Sequence, residues 1–141
     1  MIRSTITGDI ESLDVQDKQV KFKPHIAAMY NDKLLFDTFT YERNGTVEAV
    51  IGAQPCWKGR FSIWAIIGDV SSWPRFTKEV DRLINDYASE HGIIRMELAT
   101  ELGFKESERW AEILNFKFES EMKNYGIDGN TFKMWVKLWQ R

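Results

Sequence analysis

The residues best placed to do chemistry lie in one short stretch, "WAIIGDVSSWP", from Trp64 to Pro74. An apolar run ends at Gly68-Asp69, passes Ser71 and Ser72, and meets Trp73-Pro74 ahead of a long amphipathic segment. This pattern reads as a strand feeding a helix N-terminus. Unsatisfied amide donors and the positive end of the helix dipole favour an anion such as a phosphate there. The serines also have a plainer use: Ser ahead of a helix commonly caps it, and a capping hydroxyl competes for the amides that a phosphate needs. Asp69 disfavours an anion unless it points away, and Pro74 has no N–H to offer. Other reactive residues are sparse. Cys56, the single cysteine, sits in "QPCWKG" with no base partner and no His or Cys at metal-ligand spacing, so it reads as an inert thiol and no metal is expected. His25 follows Pro24 at a helix start, as a general base or as a surface residue; His91 falls at a helix C-terminus, where the dipole alone accounts for it.

Elements must hold these residues in place. Ile2 to Thr7 alternate as a strand, and "DIESLDV" is a short helix with Asp9 as its N-cap. A second helix falls in "KFKPHIAAMYNDKLL" from Lys21, with Pro24 in its first turn. "LFDTFTYERNGTVEAVIGAQP" is a hairpin around Asn44-Gly45, and "RFSIWAIIG" from Arg60 is a further strand, apolar enough for burial on both faces. Ser72 to His91 form the clearest helix, with Phe76, Val80, Leu83, Ile84 and Tyr87 on one face and Gly92 at its C-cap. "IIRMELAT" from Ile93 is the next strand, so strand, helix and strand make a right-handed parallel crossover. "KESERWAEILNF" is a helix with Trp110, Ile113 and Leu114 on its apolar side. Two strands, "FKFESEMKNY" and "TFKMWVKLW", close the chain around "GIDGN". The expected fold is α/β, one domain over residues 1–141, with a mixed, mostly antiparallel sheet and one parallel pair, flanked by helices.

Composition narrows the function classes. At 43% hydrophobic and 28% charged, the 141 residues suit a soluble globular protein. Six Trp, nine Phe and four Tyr supply a packed core and an aromatic-lined cleft or contact surface. A net charge of -2 without a basic stripe argues against a nucleic-acid partner. There is no apolar signal core and no long uncharged run, so no membrane is expected and the setting is read as cytoplasmic.

The element order, with "WAEILNFKFE" and then "NYGIDGNTFKMWVKL", resembles the GNAT fold of acyl-CoA-dependent N-acyltransferases over nearly the whole chain. The end of the sequence is similar to the family's helix with Tyr-x-x-x-Gly-Phe, followed by a strand, a glycine-bearing turn and a last strand. The "SIWAII" strand, the late "RW" and the modest length resemble a narrower group, small GNAT-like proteins of tailed phages, some of them internal virion components. The resemblance implies acetyl-CoA in a V-shaped cleft between two splayed strands, "SIWAIIG" and "IIRMELAT". The pantetheine arm would pair with backbone groups of Ala65, Ile66 and Ile67. The diphosphate would lie on amides of Gly68, Asp69, Ser71 and Ser72. A deprotonated amine would then attack the thioester, with a carboxylate or water taking its proton and a Tyr protonating the departing thiolate.

The sequence departs from that pattern at three places. The family's phosphate loop, Gln/Arg-x-x-Gly-x-Gly/Ala, is replaced by "GDVSSWP" with one glycine and no Arg beside it. Counting back from Asn115-Phe116, which stand for Gly-Phe, the Tyr position falls on Ala111; neighbouring Trp110 points about 100° away. The family's Asn before this helix falls near Phe104. Substitutes for the lost groups are Glu48 and Glu42 on the strands bordering the acceptor site, each equally an outward-facing strand residue, and Glu101 and Ser107 near the mouth of the splay. Trp135 and Trp139 either pack under a helix or form a contact surface, for a homodimer or for a phage or host protein. Two functions follow. One is acetyl transfer from acetyl-CoA to a small or protein primary amine. The other is a catalytically inactive GNAT-like phage protein, in the host cytoplasm or the virion, acting as a structural or host-interaction module. The first expects free amides after Ile67 lining an open cleft; the second expects a side chain such as Trp64 or Trp73 filling the splay.

Overall fold

The computed structural model describes residues 1–31 and 37–140. Along the chain run β1 (Ile2–Ser4), α1 (Asp9–Ser12), a 3₁₀ segment (Asp17–Phe22), α2 (Lys23–Asn31), β2 (Asp37–Arg43), β3 (Thr46–Trp57), β4 (Arg60–Ile67), α3 (Trp73–His91), β5 (Arg95–Glu101), α4 (Lys105–Ile113), β6 (Lys117–Met122) and β7 (Phe132–Leu138). The strands form one sheet in the order β1-β2-β3-β4-β5-β7-β6. Among the described residues, only β4 and β5 pair in parallel. Residues 32–36, which end the expected second helix and open the expected hairpin, lie outside the described residues.

Local chemistry explains the junctions. Asn44 and Gly45 both take positive φ, 51° and 80°, as a two-residue hairpin turn requires. Gly92 closes α3 in the left-handed conformation at φ 60°. Asn115 does the same after α4 at φ 66°, because Asn tolerates that region better than other residues with a side chain. It thereby stands in for the glycine of the Gly-Phe pair, and Phe116 follows it into the core. Asp9 is not a cap. It is the first residue of α1, buried, and its carboxylate accepts from Arg3, from the Ile6 N–H and from Thr40. A buried carboxylate needs such partners, and a cap exposed to water does not supply them.

The sheet carries a core on each face. α3 and α4 cover one with Phe76, Val80, Ile84, Tyr87, Ala111 and Leu114. Ile10, Leu13 and Val15 pack on Val50 and Ile66 to form the other. One expectation fails here, and one open alternative closes. Ile113 is exposed, and Ala111 takes its place on the buried side of α4. Trp135 is buried, with its indole N–H donating to Thr100 Oγ1 at 2.8 Å, so it is a core residue and not a contact surface. Trp139 is half-buried against the same core.

One feature of register shapes the site. The parallel pairing of β4 and β5 runs from Arg60↔Arg95 to Ile63↔Leu98 and stops. Beyond it, Trp64–Ile67 pair with β3, and Ala99–Glu101 pair with β7. The two strands therefore part company toward their C-terminal ends. No helix among the described residues is long and apolar enough to cross a membrane.

Candidate functional site: a helix N-terminus and a splayed strand edge

The loop from Gly68 to Ser72 brings β4 into α3. Ser72 is the N-cap residue of α3, but its side chain makes no capping hydrogen bond, contrary to the sequence expectation. Ser71 turns inward instead. Its N–H donates to Glu48 Oε1 at 3.1 Å, and its hydroxyl bonds the other carboxylate oxygen. Glu48, 4% exposed, is thus not an outward-facing strand residue. Its buried charge needs donors, and the N-terminal end of α3 provides them. The Gly68 N–H donates to the Glu48 carbonyl at 2.8 Å. A Cβ at Gly68 would lie 2.6 Å from the Asp14 carbonyl oxygen, so close passage of the Leu13-Asp14 backbone accounts for the glycine. Among the described residues, the amides of Asp69, Val70, Ser72 and Trp73 have no protein acceptor.

Asp69, Val70 and Trp73 line a cleft of about 1000 Å³ between the start of α3 and α4. Trp110 forms part of its wall. That ring stacks on Phe76 with centroids 5.3 Å apart, and its Nε1–H donates to Thr77 Oγ1 at 2.9 Å. Trp73, 41% exposed, meets both rings edge-on. Lys78, Lys105 and Arg109 line the cleft, as do Asp69, Asp81 and Glu106. Charge alone therefore does not select an anion, and the amide donors decide where one would sit. Asp69 is exposed, and Ala111, at the family's Tyr position, is fully buried with no proton to give.

The splay itself is filled, and by neither tryptophan. Trp64 lies across Gly52 on the other face of the sheet, where a Cβ at Gly52 would come 2.1 Å from the indole. Trp73 lines the outer cleft. The filler is Gln19 from the 3₁₀ segment. Its amide NH₂ donates to the Ala65 carbonyl at 2.8 Å, and its amide oxygen accepts the Ile67 N–H at 2.8 Å. The Ile67 carbonyl accepts the Gln16 N–H, also at 2.8 Å. The free edge of β4 is thereby satisfied within the chain. No motif pointed to Gln19: "DKQVKF" is an ordinary polar stretch, and the partners are 46 and 48 residues away.

The remaining candidates are scattered. Glu101, at the end of β5, holds Lys21 Nζ at 2.9 Å and also accepts from Asn130 Nδ2. Burial pushes its carboxyl up, but the bonds from Lys21 and Asn130 outweigh this and hold it below the ordinary range. Ser107 Oγ donates to the Phe104 carbonyl, a local bond within the first turn of α4. Glu42 bonds Arg3. His25 and Cys56 are exposed, and His91 stacks on Tyr87 with Nδ1 against the Tyr87 carbonyl.

No family model and no curated protein sequence matches this chain. Solved structures do. Ard1 from Thermoplasma volcanium is 16% identical with a TM-score of 0.78, covering 100% of this chain and 98% of its own. A GNAT family acetyltransferase from Elizabethkingia anophelis with acetyl-CoA bound is 8% identical at a TM-score of 0.75, covering 99% and 97%. A ribosomal-protein-alanine N-acetyltransferase from Brucella melitensis is 13% identical at 0.75, covering 99% of both chains. The fold is that of the GNAT acetyltransferases: a mostly antiparallel seven-stranded sheet with one parallel, splayed pair.

Proposed function

We propose that this protein is an acyl-CoA N-acyltransferase of the GNAT type, moving an acetyl group from acetyl-CoA to a primary amine. The observation that carries this reading is the open cleft at the N-terminus of α3, lined by Asp69, Val70 and Trp73, whose amides have no acceptor among the described residues. The residues fit the nucleotide end of the cofactor. The amides of Asp69, Val70, Ser72 and Trp73 would hold a diphosphate, Lys78 and Arg109 would offset its charge, and Trp73 offers an exposed ring to a base. The Ala65–Ile67 edge would take the amide-bearing arm. Bound acetyl-CoA supplies the activated acyl group, as a thioester. The chain's part is to orient the amine and to accept its proton before attack. Of Glu48, Glu101 and Ser107, we assign that proton, through water, to Glu101, which ends β5 beyond its parallel pairing with β4. With Ala111 at the Tyr position, the departing thiolate takes its proton from water, at a cost of about 10²–10⁴-fold in rate. The similar Brucella melitensis protein is a ribosomal-protein-alanine N-acetyltransferase by name, which makes protein N-termini the first acceptors to try.

One observation favours a second reading. The β4 edge is satisfied by Gln19, as expected of a non-catalytic GNAT-like module, phage-encoded and working in the virion or the host cytoplasm. Contact through the last strands would then use exposed Phe118 and Leu138, with Trp139 at the margin. Calorimetric titration with acetyl-CoA and with CoA separates the two. Dissociation constants below about 1 mM (about -4 kcal/mol) support the transferase reading; no heat at millimolar ligand overturns it.

A further inference from the structure

The residues that satisfy the β4 edge belong to a segment built to come away. Gln16 to Phe22 contribute no buried residue to the core. Their flanks are anchored: Val15 sits in the second core, and Lys23 Nζ donates to the carbonyls of Glu11 and Leu13. Between these anchors the segment is held by few contacts. Gln19 and the Gln16 N–H bond the edge of β4. Lys21 bridges Glu101 and Asp128 at 2.9 Å to each, and Phe22 meets Phe132 edge-on at 6.3 Å. Lys21 and Asp128 are 30% and 56% exposed, so that arm of the bridge is a weak tether, and the firmer arm runs to Glu101, 12% exposed. Local opening favours segments with few buried apolar contacts.

The bonds made by Gln19 have a chemical meaning. A primary amide that donates to one strand carbonyl and accepts from the N–H two residues on presents the same groups as a secondary amide laid along that edge. The segment and an amide-bearing arm therefore compete for one set of backbone atoms. We propose that Gln16–Phe22 form a built-in gate: closed, Gln19 and the Gln16 N–H occupy the free edge of β4, and an acyl-CoA arm binds there only when the segment withdraws. The gate rests on the acyl-CoA reading above. Closed molecules still offer the cleft at α3 to a nucleotide, but the arm gains its contacts only in the open fraction, which lowers apparent affinity by that fraction.

Two ligands and two variants test this. Acetyl-CoA reaches both regions, whereas adenosine 3′-phosphate 5′-diphosphate, which keeps the diphosphate and lacks the arm, reaches the cleft alone. Gln19→Ala removes both side-chain bonds to the edge, and Lys21→Met removes the tether without touching the edge. The gate predicts that either change tightens acetyl-CoA by about tenfold and leaves the arm-free nucleotide within about twofold of wild type. If the arm-free nucleotide binds all three proteins and acetyl-CoA affinity is also unchanged, the gate is wrong and the acyl-CoA reading stands. If neither ligand binds any of the three, both fall together. Hydrogen exchange gives an independent readout on the wild type: saturating acetyl-CoA should speed exchange of the Gln16 amide, and undiminished protection there would overturn the gate.

Discussion

The N-terminus of α3 and the free edge of β4 follow one another in sequence and meet opposite fates. At the helix, beside an open cleft, the amides of Asp69, Val70, Ser72 and Trp73 have no protein acceptor among the described residues. At the strand, the Ala65 carbonyl and the Ile67 N–H and carbonyl are taken by Gln19 and Gln16. Access to water explains the difference. Amides that face an open cleft are solvated and need no internal acceptor, whereas a strand edge inside a splay covered by its own chain loses water and must be paired. The lesson is that a single ligand path can be half preformed and half filled by its own protein.

The largest way to break the comparison is Phe76→Ala. Phe76 is fully buried and carries the Trp110 stack, so the change should cost about 3–5 kcal/mol in chemical denaturation and collapse the cleft while leaving the Gln19 bonds. Next is Gly68→Ala, which places a methyl against the Asp14 carbonyl. It should cost about 1–3 kcal/mol by the same measurement and loosen both regions at once.

Acid should open the filled half first. Glu101 is held below its ordinary 4.5 because the bonds from Lys21 and Asn130 outweigh burial. Glu97 is held below the same value by hydrogen bonding from Arg60, then Arg95, against burial. A carboxyl depressed on folding stabilises the protein above its unfolded value and loses that contribution as pH falls through the folded value. Stability should therefore be flat near neutrality and decline below about pH 4.5, with the Gln16 amide losing protection before the α3 core. Global unfolding with no earlier loss at Gln16 would contradict this order. The smallest expected effect is at the open half. Asp69→Asn removes an exposed negative charge beside the free amides and should tighten acetyl-CoA by about two- to fivefold at low salt, less at high salt.

Much of the fold was legible because its signals are local. Asn44-Gly45 demanded the hairpin turn, the Phe76–Tyr87 periodicity demanded α3, and Gly92 its end. What was missed depends on partners distant in sequence. Ser71 looked like a cap, but Glu48, 23 residues earlier, takes both its donors. β3 is buried on both faces through its middle, so alternation could not say which way Glu48 points. Trp135 alternates with lysines, which left packing and surface contact both open until Thr100 is seen to accept its indole N–H. Ile113 and Ala111 exchanged roles because side-chain size suggested the apolar face of α4, while the close approach of the helix to the sheet selected the small residue. Gln19 had no signal at all, since its value lies entirely in two backbone atoms of another strand.

The most direct test is a pair of calorimetric titrations of the wild-type protein, one with acetyl-CoA and one with adenosine 3′-phosphate 5′-diphosphate. With the cleft open and the β4 edge filled, the arm adds little, and the two dissociation constants should agree within about threefold, or roughly 0.7 kcal/mol. Acetyl-CoA binding a hundredfold tighter than the arm-free nucleotide would show the arm already paired with Ala65 and Ile67 and would contradict the account.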